Sequence, residues 1–305
     1  MSSSTSQGDA SVVGGGQATL LLFAVILLWG VNWPVMKLGL ESIPPFWFAA
    51  ARMALGAATL FAVLAWRREL RIPLRGDLPV IVSVGLLQMV LFLACVNTGL
   101  QVVEAGRSAL LVYTTPLWVT PLAMWLFGER MGPLKTLGWL LGVGGLAVLF
   151  NPLGFAWRDS DVLLGNGLLL LAAAAWAAAL LHVRGHRWRL TPLQLAPWQM
   201  LLALPLLLAV ALATEPLEAV RPSWELAAVL FYNGPIATAF CFWAAVTVTR
   251  SLPAITTSLG FLGVPMVGVA VSALWLGEPI TVTLTLGLLL ILAGLAVVNL
   301  SRRQG

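Results

Sequence analysis

The chain reads as an all-α membrane protein of ten transmembrane helices, arranged as two inverted five-helix repeats around a central cavity. Composition, the spacing of apolar runs and internal repetition predict this. Sixty per cent of the 305 residues are hydrophobic and only 10% are charged, against about 25% charged in a soluble domain. Mean hydropathy is +0.95, more apolar surface than a water-soluble chain of this length could hide. The apolar residues fall into ten runs near the roughly 20 residues a helix needs to cross a hydrocarbon core. Finally, the second half repeats the first at a nearly constant offset.

Residues 1–17, MSSSTSQGDASVVGGGQ, contain no Lys or Arg. They lack the basic leader of a cleavable signal peptide and read as a disordered tail. The first run, 18–38, contains LLWGVNWPVMKLGL (Leu27 to Leu40). Trp29, Asn32, Trp33, Met36 and Lys37 there share one helical face. Asn32 is costly in lipid and must meet protein or a wet cavity. Pro34 frees a backbone carbonyl, which a neighbouring helix can satisfy. The second run, 45–66, opens on Pro-Pro and carries Arg52 seven residues in. That is about 10 Å of helix at 1.5 Å per residue, deep for a side chain to reach the interface.

The third run, 79–100, offers Gln88 and Asn97, and the fourth, 107–128, offers Tyr113 and Thr115 with Pro116 and Pro121 behind them. The fifth, 134–151, contains GWLLGVGG. Its Gly138 and Gly142 are spaced for close helix approach within the chain. The sixth, 163–184, carries Trp176 and ends near His182; the seventh, 192–213, holds Gln199. Tyr232, Asn233, Phe240 and Trp243 mark the eighth, 225–247, and Pro265 interrupts the ninth, 254–276. Gly287 and Gly294 lie in the tenth, 280–300, before a short C-terminal tail, 301–305. Each isolated polar residue could equally be an interhelical hydrogen bond of about 0.6–2 kcal/mol. Pro34, Pro116 and Pro265 read as static kinks or as hinges.

Basic residues set orientation. With both termini cytoplasmic, twelve fall inside (Arg67, Arg68, Arg71, Arg75, Arg130, Lys135, Arg184, Arg187, Arg189, Arg250, Arg302, Arg303). Lys37, Arg107, Arg158 and Arg221 fall outside, so the opposite orientation is disfavoured. This distribution also explains the net charge of +5 without nucleic acid.

PLWVTPLAMWLFGER from Pro116 matches PMVGVAVSALWLGEP from Pro265, 149 residues on. The same shift relates Gly128-Glu129 to Gly277-Glu278, Gly138 to Gly287, and Gly145 to Gly294. A shift of 147 relates Trp29 to Trp176 and Met53 to Met200. Five spans per unit is odd, so the second unit, 163–300, would enter the membrane opposite to the first, 18–151. Inverted repeats place a binding site near the midplane between the units.

LLWGVNWPVMKLGL followed by PPFWFAAARMALGAATL resembles the start of an EamA domain of the drug/metabolite transporter superfamily. EAGRSALLVYTTPLWVTPLAMWLFGERMGPLKTLGWLLGVGGLAVL resembles its end, and LGEPITVTLTLGLLLILAGLAVV a second copy in which Pro279 replaces the Arg of GER. The resemblance implies a ten-helix carrier of small metabolites, often an exporter of amino acids, with the third and fourth helices beside the repeat axis. That position favours Gln88 and Tyr113 as cargo contacts.

The expected cavity draws on Trp29, Asn32, Trp33, Met36, Gln88, Tyr113, Trp176, Gln199, Tyr232, Phe240 and Trp243. Lys37 or Arg52 would attract a carboxylate, unless Lys37 pairs with Glu41 and Arg52 with carbonyls or Glu41. All twelve acidic residues read as terminal or near helix ends, which argues for weak or no proton coupling. The cargo expected is an amino acid or similar metabolite, aromatic ones included, carried outward across the inner (plasma) membrane by a monomer. Drug or nucleotide-sugar carriage is the nearest alternative. A nucleotide sugar would want several cations for its phosphates. An intramembrane enzyme would need HExxH, paired aspartates or Ser with His, and none is present. A channel would need more polar lining. No cofactor or metal is expected: Cys95 and Cys241 sit in apolar runs without neighbouring ligands.

Overall fold

A computed structural model describes residues 13–128, 131–150, 159–186, 189–252 and 254–301. Most of the expected tail, Arg130, Arg158, Arg187, Arg302, Arg303 and the 151 boundary lie outside these. Among the described residues the regular elements are all helices. They are α1 (Gly15–Gly39), α2 (Pro45–Trp66), α3 (Arg75–Val102), α4 (Ala105–Leu126), α5 (Pro133–Phe150), α6 (Ser160–Gly185), α7 (Pro192–Thr214) and α8 (Trp224–Thr249). Then come α9 (Ala254–Phe261), α10 (Gly263–Leu276) and α11 (Val282–Ser301).

Eight of these, α1 to α8, are long and apolar enough to cross a membrane, where ten were expected. The expected ninth span is broken at Leu262 into α9 and α10. The apolar part of α11, Val282–Val298, falls just under the length of the others. The fold is therefore a multi-helix membrane bundle.

Local sequence explains the interruptions unevenly. α4 breaks at Tyr113 and Thr114, just ahead of Pro116; the α9–α10 break just precedes Pro265. A proline has no N–H for the carbonyl four residues back, here Val112 and Phe261, the last helical residues before the breaks, so both breaks sit where the helix loses a backbone bond. α8 widens into a π-helical stretch over Tyr232–Phe240 around Pro235, and α3 does so over Gly85–Leu91. The stretch in α3 contains no proline, and nothing in its local sequence explains it. Gly128 and Gly277 end α4 and α10 in the left-handed conformation, with φ of 64° and 68°. Glycine adopts this at no steric cost.

Packing pairs helices from the two parts of the chain. Glu215, at the end of α7, accepts from Phe46 N and Trp47 N at the start of α2. Gln194, at the start of α7, donates to Glu69 O beyond the end of α2. These two helices therefore run antiparallel. So do α5 and α11: a Cβ at Gly138 would lie 2.7 Å from Gly294 O, and one at Gly145 would lie 2.9 Å from Gly287 O. The glycines singled out in the sequence thus face each other inside one chain.

At one end of the bundle a single buried core joins both parts, with Trp33, Leu100, Leu111, Leu169 and Ile291 among its members. Towards the other end the buried core divides. Met53, Leu60, Val84, Met200 and Leu207 form one group across α2, α3 and α7. Leu22, Ile26, Val248 and Val264 form another across α1, α8 and α10.

Candidate functional site

The polar residues of α1, α2 and α8 meet in one chain of contacts. Arg52 donates from Nε to Thr238 Oγ1 at 2.8 Å and from Nη1 towards Met36 Sδ at 3.5 Å. Asn32 Nδ2 donates to the same sulfur at 2.9 Å. Thr238 in turn donates to Asn233 O, five residues back, at 2.7 Å, so the π-helical stretch of α8 presents the hydroxyl that Arg52 uses. Asn32 Oδ1 and Asn233 Oδ1 are buried without a hydrogen-bond partner.

Arg52 is half-buried, and among the described residues no carboxylate lies within ion-pair distance of it. The pairing with Glu41 considered from the sequence is not made. A hydroxyl and a thioether leave most of the guanidinium's five donors without acceptors. An unneutralised charge is expensive in a membrane helix and marks function by default.

Lys37 is placed differently. Its Nζ donates to Val103 O at 2.6 Å, within the field of Glu278, Glu104 and Glu41. The structure surrounds Lys37 with acidic groups, which leaves Arg52 the better of the two candidate carboxylate ligands.

Aromatic residues flank this chain. Trp29 donates to Ala237 O at 2.9 Å and meets the Phe261 ring at 5.8 Å, so it faces α8 and α9 rather than lipid. Tyr232 OH donates to Leu28 O at 2.7 Å. Trp176, the repeat mate of Trp29, meets Tyr113 at 6.1 Å and Phe92 at 5.5 Å, both edge-on. Each of these tryptophans thus touches a residue at the break ahead of α4's second segment or of α10. Tyr232→Phe removes one hydrogen bond between α8 and α1. It should cost about 1 kcal/mol, read as a lower unfolding temperature in detergent.

Not every expected residue joins this constellation. Trp33 is buried against α10, 3.5 Å from where a Cβ on Gly268 would stand, and so is packing. Pro34 is buried within α1. Gln88 is half-buried on the π-helical stretch of α3. Gln199 is buried in α7 beside that stretch, its carbonyl 3.3 Å from a Cβ built on Gly85. Phe240 and Trp243 pair with each other at 5.7 Å, with Phe240 exposed.

Sequence reasoning missed Thr238 and Asn233's link to Arg52, since a Thr in an apolar run carries no distinguishing signal. It read Asp77 as near a helix end, as it is, but gave no sign of its burial. Asp77 lies at the start of α3, fully buried, and accepts from Arg189 N at 2.9 Å with His186 Nε2 at 3.4 Å. Among the described residues no group of His, Cys, Asp and Glu could hold a metal.

The signature of the EamA-like transporter family matches twice, at residues 17–151 and 163–300. The chain belongs to the EamA-like transporter family. It resembles the uncharacterized transporter YoaV of Bacillus subtilis, 28% identical over 274 residues, 90% of this chain and 94% of that one. A probable amino-acid metabolite efflux pump of Escherichia coli is 27% identical over 285 residues, 90% of this chain and 92% of that one. A solved crystal structure at 24% identity superposes with a TM-score of 0.65 over 95% of this chain and 98% of that one, which shows the fold. Family membership makes this EamA chain a multi-pass membrane transporter of a small molecule rather than an enzyme.

Proposed function

We propose that this EamA transporter exports amino acids, aromatic and hydrophobic ones included, by alternating access between two inverted five-helix repeats. Arg52 carries the reading: a half-buried cation with no counter-ion among the described residues suits a carboxylate attached to an apolar side chain. The relative named a probable amino-acid metabolite efflux pump supports the same cargo class. Ten spans follow if α9 with α10, and α11, also cross. The antiparallel pairs α2–α7 and α5–α11 support the inverted relation, because helices at equivalent places in the two repeats must then run in opposite directions. The basic residues support cytoplasmic termini in an inner membrane, and the glycine faces, used within the chain, favour a monomer.

Counterflow in liposomes tests the cargo. Preloaded aromatic amino acids should exchange with labelled external ones, whereas the corresponding decarboxylated amines should exchange far more slowly. Equal exchange of both would refute carboxylate recognition. Among the described residues no acidic side chain joins the Arg52 constellation, so an imposed pH gradient should drive little net uptake; flux that tracked the gradient stoichiometrically would show coupling.

A further inference from the structure

The end of the bundle where the core is continuous is also held by one carboxylate that no cargo contact explains. α10 stops at Gly277, whose left-handed backbone turns the chain so that Glu278 reaches α4. Glu278 Oε1 accepts from Ala105 N at 2.5 Å and Oε2 from Gly106 N at 2.9 Å. These are first-turn amides of a helix, which have no acceptor of their own, and the helix dipole adds to the attraction. Gly106 allows the approach: a Cβ there would stand 3.1 Å from Val269 Cα and 3.4 Å from Glu278 Oε2. Lys37 grips the same junction from the other side through Val103 O.

Below the clasp the two helices part. The first segment of α4, Ala105–Val112, packs on both α10 and α6, whereas the second, from Thr115 onward, packs on α6 and α5. The divergence begins at the break by Tyr113, where the buried core also starts to divide.

We propose that Glu278 is the latch closing this end of the transport path, and that its carboxylate must leave the α4 amides for this end to open. A second carboxylate at the same end makes a useful contrast. Glu215 caps α2, but α2 and α7 are also joined at their other ends through Gln194 and through Trp198 Nε1, which donates to Arg71 O. Those two helices are tied to move together, so Glu215 holds a pair and Glu278 holds a closure.

The inference rests on the alternating-access part of the proposed function and not on the cargo. Its test therefore uses thiol accessibility, which needs no substrate. Val112, fully buried beneath the clasp, is replaced by Cys in the full chain in liposomes. A membrane-impermeant maleimide is added to each side in turn, with the buried Cys95 and Cys241 of the parent chain as background.

Glu278→Ala should raise labelling of Val112→Cys from the clasp side about tenfold, the factor that about 1.4 kcal/mol represents. Glu278→Gln, which keeps one acceptor oxygen, should give a smaller rise, and it carries the test if the alanine variant fails to accumulate. Glu215→Gln should leave labelling unchanged. Unchanged labelling in the folded Glu278 variants, or an equal rise in Glu215→Gln, would overturn the latch. Failure of amino-acid counterflow with this labelling pattern intact would overturn only the cargo.

Discussion

Arg52→Gln should cut counterflow of amino acids about a hundredfold while leaving exchange of any cargo without a carboxylate unaffected. Removing one partner of a buried, hydrogen-bonded charge pair costs about 2–5 kcal/mol, so a hundredfold lies well within that range. The glutamine is shorter, but its amide nitrogen falls where Nε of Arg52 lies, so it can still donate towards Thr238 Oγ1, which now accepts at 2.8 Å from Arg52. The link between α2 and α8 is thereby kept in part, and the variant should stay monodisperse in detergent. Arg52→Lys should recover part of the activity. It restores the charge but not the planar fork that can bind a carboxylate with two parallel bonds. Equal loss for carboxylate and amine cargo would instead make Arg52 a structural tie between α2 and α8.

Gly294→Ala should destabilise the folded protein more than any other single-methyl addition in the glycine-rich helices α5 and α11. A Cβ at Gly294 would stand 2.5 Å from Gly138 O and 2.6 Å from Gly142 N. Both are backbone atoms, so the helices must separate. Overpacking of this kind costs about 1–3 kcal/mol, and the upper end is expected where no side chain can rotate away. Gly144 lies in the same glycine-rich stretch of α5 with nothing within 4 Å of its would-be Cβ. Gly144→Ala should therefore be neutral or slightly stabilising. Unfolding temperatures of the two variants in one detergent decide the matter. Similar values would mean that α5 and α11 are not held by the glycine contact.

These cases divide what could be read from what could not. The glycine seam was legible because Gly138 and Gly145 recur as Gly287 and Gly294 at one offset, and small residues at helical spacing have one main use in lipid. Arg52 was legible as an anomaly, a charge where charge is costly. Its partners were not, because Met36 and Thr238 look like ordinary members of apolar helices. The face shared by Trp29, Asn32 and Met36 was real, but Trp33 on the same stretch is packed against α10. A helical wheel assigns residues to a side; only the neighbour on that side distinguishes a cleft from a packed contact.

By itself the sequence determined the membrane as solvent, the repeat, the family and the expensive polar positions. All of these depend on composition and spacing along one chain. Tertiary structure decided that α3 and α8 widen into π-helical stretches and that Arg52 finds no carboxylate among the described residues. It also decided that Asp77 is buried and that Glu278 caps α4 from more than 170 residues away. Each of these depends on which backbone atoms residues far apart in the chain bring within hydrogen-bond reach. Spacing in sequence carries no such information.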